Sequence, residues 1–290
     1  MKYTNKENLP APFVRAVMRD TYSRGDAAIS VTGLLRPPRM AALFEEFDDL
    51  IERDVSADVW TLFGRAVHHI LEIGEDENFI SEERYFAECE GTRVSGQIDS
   101  QEIQEDGSRI LFDWKARKAF GVIKNDGVDE AQLNCYRWLL EQNGIHVSGL
   151  RIVNLIKDWA RHEAERREEY PPSDVFVQEI PMWPVEEAAA FIRDRVTAHQ
   201  RAREGHLPDC TPDERWLRDE KFAVNKEGRK RAVRVFDSQQ EAETFITALA
   251  DADKHSVEHR PGLNTRCEQF CDVAEFCLQF QSLRSASQHD

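Results

Sequence analysis

The chain has 290 residues, of which 41% are hydrophobic and 32% charged, and its formal net charge is −16 at pH 7. This length suits one large domain or two small ones. No apolar run approaches the roughly 18 residues of a membrane span, and the N-terminus lacks the apolar stretch of a signal peptide. We therefore expect a cytoplasmic protein with no membrane partner. The negative charge disfavours a broad nucleic-acid surface, although basic residues cluster at 115–124 and 226–234.

Hydrophobic periodicity predicts two helices after an irregular to partly helical N-terminal segment, and three strands follow them. These five elements lie at about 40–53, 57–74, 82–90, 92–103 and 109–118. A helix at 128–143, strands at 150–160 and 175–180 and a long helix from Pro184 to Gly205 come next.

The remaining residues predict a smaller, irregular region with a hairpin that turns at 226–228 and a short helix capped by Ser238. The pattern as a whole indicates the α/β class. We divide the chain into an N-terminal segment, a core, a C-terminal region that packs on the core, and a polar tail. Their bounds are 1–36, 37–205, 206–280 and 281–290.

The stretch 94–118 reads as a β-hairpin that carries Asp99, Asp113 and Lys115. Side chains alternate along a strand, so Asp113 and Lys115 share one face. A turn near 105–108 brings Asp99 close to Asp113. Neighbouring carboxylates repel unless a cation neutralises them, and oxygen ligands suit Mg²⁺ or Mn²⁺. The hairpin is therefore a candidate divalent-metal site, and an exposed hairpin with solvated charges is the alternative.

Four short motifs occur in a fixed order along the chain: G-x-x-x-H, G-x-x-D, D-x-K and Q-x-x-x-Y. They are Gly64/His68, Gly96/Asp99, Asp113/Lys115 and Gln132/Tyr136. This order resembles the PD-(D/E)XK nuclease superfamily, in its RecB-like and Cas4-like branch, over roughly residues 35–280. Several segments also resemble bacteriophage exonucleases. The resemblance implies a restriction-endonuclease-like core, in which helices flank a mixed central β-sheet.

The resemblance also implies a role for each motif residue. His68, Asp99, Asp113 and the Trp114 backbone carbonyl would bind Mg²⁺ or Mn²⁺. Lys115 would orient or deprotonate the attacking water, and Gln132 and Tyr136 would hold Lys115 and contact DNA near the cut. We expect Glu72, Glu82 and Glu83 to be solvated surface rather than support for the metal ligands. Candidate DNA contacts, beside the aromatic Trp114 and Phe120, are Arg117, Lys118, Lys124, Arg229 and Lys230.

Three of the six cysteines, Cys267, Cys271 and Cys277, lie within eleven residues, and Cys210 lies upstream. Four thiolates suit either a [4Fe–4S] cluster or a tetrahedral Zn²⁺. The layout resembles the iron–sulfur staple of Cas4-like and AddB-like nucleases, so we favour a structural [4Fe–4S] cluster over Zn²⁺. Cys89 and Cys135 are expected to be buried thiols that act as small hydrophobic residues.

The expected function is therefore that of a metal-dependent deoxyribonuclease, most simply an exonuclease on single strands or DNA ends. The resemblance places it in phage recombination, replication or repair, or in CRISPR-adaptation-like processing, in a bacterial or phage-infected cell. One alternative is a non-catalytic iron–sulfur subunit that binds DNA ends for a recombination or spacer-acquisition partner. Another is a zinc-stapled protein-interaction module.

Overall fold

The computed structural model describes residues 1–19, 23–74, 76–124 and 127–286. The chain divides into two compact units, Met1–Pro208 and Asp209–Asp290. Residues 20–22 of the N-terminal segment and 287–290 of the predicted polar tail lie outside the described residues.

The first unit alternates strands and helices. Its strands are β1 (Lys2–Thr4), β2 (Ile29–Ser30), β3 (Glu52–Asp54), β4 (Phe79–Cys89), β5 (Thr92–Ile103), β6 (Arg109–Arg117), β7 (Val147–Ile156) and β8 (Val175–Glu179). Its helices are α1 (Ala11–Met18), α2 (Val31–Leu34), α3 (Pro38–Phe47), α4 (Val59–Ile73), α5 (Ala119–Lys124), α6 (Val128–Gln142), α7 (Arg161–Ala164) and α8 (Val185–Arg203).

The second unit is smaller and has short elements. Its strands are β9 (Leu217–Arg218), β10 (Lys221–Lys226), β11 (Arg234–Phe236), β12 (His255–Arg260) and β13 (Leu263–Asn264). Its helices are α9 (Gln239–Thr247), α10 (Thr265–Gln269) and α11 (Leu278–Ala286). Helix α11 runs into the region that the sequence predicts as a polar tail.

The central sheet of the first unit contains six strands. Its order is β2-β5-β6-β7-β8, and β4 pairs with β5. The pairs β2–β5 and β6–β7 are parallel, whereas β4–β5, β5–β6 and β7–β8 are antiparallel. The expected α/β class and mixed central sheet are therefore confirmed.

Helix α6 anchors the core because nearly its whole circumference is covered. It packs against β7 and α8, and Leu133, Leu139 and Leu140 are fully buried. Gly127 (φ 74°) precedes the helix and Gly144 (φ 75°) follows it; glycine adopts this left-handed backbone without strain. The rigid helix presents Gln132 and Tyr136 to the sheet.

The sequence places most long elements of the first unit within a few residues of their observed bounds. The helix predicted at 40–53 is the exception: α3 ends at Phe47, and the last predicted residues belong to β3. The predicted capping of α9 is also present, since Ser238 Oγ accepts a hydrogen bond from Glu241 N at 3.3 Å. The predicted hairpin of the second unit is the antiparallel β10–β11 pair. None of the helices in the described parts of the chain is both long and apolar enough to cross a membrane.

Candidate metal centre and its lysine

The candidate site lies at a gap in strand pairing along one edge of β5, between its pairing with β2 and its pairing with β6. β2 pairs with β5 at Val94 and Ser95, and β6 pairs with it only from Ser100 onward. Asp99 lies just before that point, outside any ladder pair of the described residues. Its Oδ2 accepts a hydrogen bond from Trp114 N at 2.9 Å. The divergence of β5 and β6 therefore opens the space into which Asp99 points.

Helix α4 brings His68 to this space. His68 Nε2 lies 3.1 Å from the Trp114 carbonyl oxygen, and Nδ1 lies 3.7 Å from Asp99 Oδ1. The structure thus brings His68, Asp99 and the Trp114 carbonyl together, as the resemblance implies.

Glu82 is a further member of the group that the sequence did not select. Its Oε1 lies 3.6 Å from His68 Nδ1, and His68, Glu82 and Asp99 each offer a ligand atom within 4.8 Å of the others. Among the described residues this is the one such group of three or more. Our expectation that Glu82 is solvated surface does not fit this position.

The backbone at Glu82 is unusual for a strand. Its φ is 50°, a left-handed value that costs a non-glycine residue energy and often marks a functional position. Ser81 pairs with Ser100 and Glu83 with Ile98, so Glu82 lies directly opposite Asp99. The two-residue turn at 90–91, with φ of 48° and 67°, fixes this register. Glu82 could have been identified from the sequence by pairing residues outward from that turn, which places Glu82 opposite Asp99.

Asp113 and Lys115 form a buried ion pair beside this group. Lys115 Nζ lies 2.7 Å from Asp113 Oδ2, and Asp113 is only 2% exposed. Asp129, in the first turn of α6, lies 4.0 Å from Lys115 Nζ. Asp129, which belongs to none of the four motifs, forms an ion pair with Arg117.

Gln132 links the ion pair to Tyr136. Its Nε2 donates to Asp113 Oδ1 at 3.1 Å and to Tyr136 Oη at 2.9 Å. Its Oε1 accepts from Lys115 Nζ at 3.2 Å. A single amide therefore fixes three other side chains, and Gln132 acts by holding Asp113 and Lys115 in place.

Burial and mutual repulsion of the carboxylates shift the pKa values in the site. Burial raises the pKa of Asp99 to about 7, and the Asp113 carboxylate adds to this shift. The Glu82 carboxylate raises the pKa of His68 to about 9, against the effect of burial. Burial lowers the pKa of Lys115, but Asp113 and Asp129 outweigh it and the net shift is upward. Lys115 is therefore a cation near neutral pH.

These residues fit a divalent metal ion. Two carboxylates and an imidazole converge, and the burial of Asp99 disfavours its negative charge unless a cation compensates it. Asp113 Oδ2 is buried, and Lys115 Nζ lies 2.7 Å from it. Carboxylate oxygens with one imidazole suit Mg²⁺ or Mn²⁺.

The candidate DNA contacts differ in whether their side chains already bind other residues of the chain. Arg117 is half-buried and donates through Nε to Asn154 Oδ1 at 2.8 Å, in addition to its ion pair with Asp129. Lys118, directly after β6, and Lys124, the last residue of α5, are both exposed. Arg229 and Lys230 are exposed in the loop between β10 and β11 of the second unit.

The four candidate cluster ligands all belong to the second unit. Burial raises the pKa of Cys267 to about 11, and the nearby Cys271 and Cys277 add to the shift. Cys210 N donates to Gln279 Oε1 at 2.9 Å, and Gln279 Nε2 donates to Cys210 O at 2.9 Å. This double hydrogen bond ties Cys210 to the chain two residues after Cys277.

The sulfur atoms do not close around a single-atom site. No three of these described cysteines have sulfur atoms within 4.8 Å of one another. A tetrahedral Zn²⁺ with Zn–S bonds of about 2.3 Å needs sulfurs only about 3.8 Å apart. This spacing identifies no particular metal ion or cluster, and the expected [4Fe–4S] cluster stays a prediction. Cys135, by contrast, is buried in the hydrophobic core.

Comparison with known proteins identifies no family. No family model matches the chain, and no curated protein matches it. A solved structure titled "Crystal structure of SSO0001" is similar over 70% of this chain and 87% of that one, with 16% identity and a TM-score of 0.48. A similarity of this size identifies no function.

Proposed function

We propose that the protein is a metal-dependent deoxyribonuclease with a restriction-endonuclease-like core, most simply an exonuclease on single-stranded or end-accessible DNA. One observation carries the proposal: His68, Glu82 and Asp99 converge within 4.8 Å, beside the Asp113–Lys115 ion pair. The four sequence motifs supply the residues around this point. Oxygen ligands for a metal ion beside a fixed cation suit metal-dependent phosphodiester hydrolysis.

His68, Glu82, Asp99 and Asp113 would hold Mg²⁺ or Mn²⁺, with the Trp114 carbonyl as a further oxygen. The ion would offset the charge of the scissile phosphate and activate a water for attack. Lys115, whose Nζ lies 2.7 Å from Asp113 Oδ2, would orient or deprotonate that water. Gln132 keeps Lys115 and Asp113 aligned through its three hydrogen bonds.

Cys210, Cys267, Cys271 and Cys277 are proposed to hold a structural [4Fe–4S] cluster. The support for this cluster over Zn²⁺ is the resemblance of the cysteine layout to the iron–sulfur staple of Cas4-like and AddB-like nucleases. Ligation would contribute folding free energy to a small unit with short elements.

End-labelled DNA tests the nuclease proposal. We expect the full chain to release nucleotides from single-stranded DNA with Mg²⁺ or Mn²⁺, and not with EDTA. Binding of DNA without hydrolysis in either metal ion would favour the non-catalytic DNA-end-binding alternative.

A further inference from the structure

Helix α4, which carries His68, leaves its aromatic side chains in solvent. None of its residues is buried, and Trp60 and Phe63 are 58% and 43% exposed. Their rings meet edge to face, with centroids 6.1 Å apart. Exposed aromatic pairs of this kind are typical of binding surfaces rather than of a folded core.

One lysine side chain borders these rings, and a second lysine lies near the first. Lys157 Nζ lies 3.9 Å from the centre of the Trp60 ring and 5.6 Å from that of Phe63. Burial and the nearby Lys118 lower the pKa of Lys157. The Asp158 carboxylate opposes this shift in part. Among the described residues neither lysine forms an ion pair with a carboxylate. With Lys157 against two exposed rings and Lys118 near Lys157, this face is complementary to an aromatic anion, although the chain has a net charge of −16.

The aromatic–lysine face (Trp60, Phe63, Lys118 and Lys157) lies near the candidate metal centre. Lys157 N donates to Arg117 O at 3.0 Å, two residues beyond Lys115 on β6. Trp60 and His68 are eight residues apart on α4, about 12 Å along the helix axis. The face and the metal centre are therefore consecutive parts of one surface.

Gly64 lies midway between Trp60 and His68, one turn from each. A Cβ built on Gly64 would meet nothing within 4 Å, so no neighbour in the described structure requires glycine there. Glycine is also among the residues least favourable to a helix. Because glycine has no side chain, a bound polymer can approach the helix backbone closely at Gly64.

We infer that the aromatic–lysine face binds single-stranded DNA and leads it past Gly64 to the metal centre. Bases stack on Trp60 and Phe63, while Lys157 and Lys118 contact phosphates. A single strand is the occupant because its base faces are free to stack, whereas those of a duplex are not. The inference rests on the proposed nuclease function and adds the path and strand preference of its substrate.

Fluorescence anisotropy with a labelled oligonucleotide, as single strand and as duplex, tests the inference in EDTA, where no hydrolysis occurs. We expect the double variant Trp60→Ala/Phe63→Ala to bind the single strand about tenfold more weakly or worse, with little change for the duplex. Trp60→Phe keeps a ring and should retain most of the affinity. Ile73→Ala, at an even more exposed position on α4 (72%), is the matched control and should bind as the parent does.

The inference would be overturned if the double variant bound the single strand as tightly as the parent does. It would also be overturned if the variant lost the same factor of affinity for the single strand and for the duplex. Tighter parental binding to RNA of the same sequence would overturn the assignment to DNA. A changed oligomeric state with unchanged DNA affinity would make the face an interface between copies of the chain, which also overturns it.

Hydrolysis by the parent separates this inference from the nuclease proposal. If the parent hydrolyses single-stranded DNA and the double variant does so with unchanged KM, the inference fails and the proposed function stands. If the double variant loses binding and the parent cuts no DNA with any divalent metal, the inference stands and the nuclease proposal fails.

Discussion

Gly96 lies directly against the ring of Tyr136. A Cβ on Gly96 would come within 2.8 Å of Tyr136 Cδ1 and 2.6 Å of Leu139 Cδ1. Only glycine therefore fits at position 96, in the G-x-x-D motif, because Tyr136 of the Q-x-x-x-Y motif packs against it. This contact packs β5, which carries Asp99, against α6, which carries Gln132.

We predict that Gly96→Ala destabilises the first unit by about 1–3 kcal/mol, because the added methyl must displace Tyr136 or Leu139. Chemical denaturation measures the change. Gly64→Ala is the matched control, since its Cβ meets nothing, and it should instead stabilise the chain by up to about 1 kcal/mol. Equal stability of the two variants would contradict the packing argument.

We predict that Gln132→Leu lowers the hydrolysis rate about 10- to 100-fold, as expected when a group that orients ligands is removed. It should also lower the free energy of unfolding by about 1–3 kcal/mol, because buried Asp113 and Tyr136 lose a partner. Stopped assays and denaturation measure the two effects. If the folded Gln132→Leu variant hydrolysed DNA at the parental rate, Gln132 would not be needed to hold Lys115 in place.

We predict that Mn²⁺ raises the melting temperature of the parent. A ligand at 100 times its Kd stabilises the native state by about 2.7 kcal/mol. Glu82→Gln, which keeps the side-chain shape, should reduce the shift, because the group of three ligands loses a charged oxygen. Glu83→Gln, one residue further along β4, is the control. An equal shift in both variants would exclude Glu82 from the metal centre.

Asp54 predicts a pH-dependent contribution to stability. Its Oδ2 accepts hydrogen bonds from Lys6 N at 2.7 Å and Thr4 Oγ1 at 2.9 Å, and Oδ1 accepts from Ser56 N at 3.0 Å. These bonds hold the pKa of Asp54 well below its usual range. A carboxyl group with a depressed pKa stabilises the fold above its unfolded pKa of about 3.9 and loses this contribution as pH falls.

Melting temperatures of the parent and Asp54→Asn should therefore differ most at neutral pH and converge below about pH 4. A difference that stays constant down to pH 2 would contradict the assignment.

The four candidate cluster ligands in the second unit predict how much iron the purified protein contains. An intact [4Fe–4S] cluster gives about four iron atoms and four acid-labile sulfides per chain, whereas a tetrahedral site gives one zinc. Cys271→Ser should abolish the iron, and Cys135→Ser should leave it unchanged, since Cys135 belongs to the hydrophobic core of the first unit. Zinc in place of iron in the anaerobically purified parent would contradict the assignment.

The long elements were predictable because their hydrophobic periodicity is local. Helix α6 and strands β5 and β6 follow from it, and so does the approach of Asp99 to Asp113 across a hairpin. The short strand β2 was not predictable, since its pairing with β5 depends on residues more than sixty positions away. The PD-(D/E)XK assignment stays a prediction.

Glu82 and Gly96 show what local patterns miss. The position of Glu82 depends on a left-handed backbone inside a strand, which no propensity indicates for glutamate. The need for Gly96 depends on a ring from another motif. Lys157 likewise joins Trp60 only through the tertiary fold.

The most direct test of the central claim is the hydrolysis rate of end-labelled single-stranded DNA with Mn²⁺, for the parent, Lys115→Met and Glu82→Gln. Melting curves confirm that each variant folds. We predict hydrolysis by the parent, none by Lys115→Met, and a strongly reduced rate for Glu82→Gln. Hydrolysis by Lys115→Met at the parental rate, or no hydrolysis by the parent with Mg²⁺ or Mn²⁺, would contradict a metal-dependent nuclease centred on these residues.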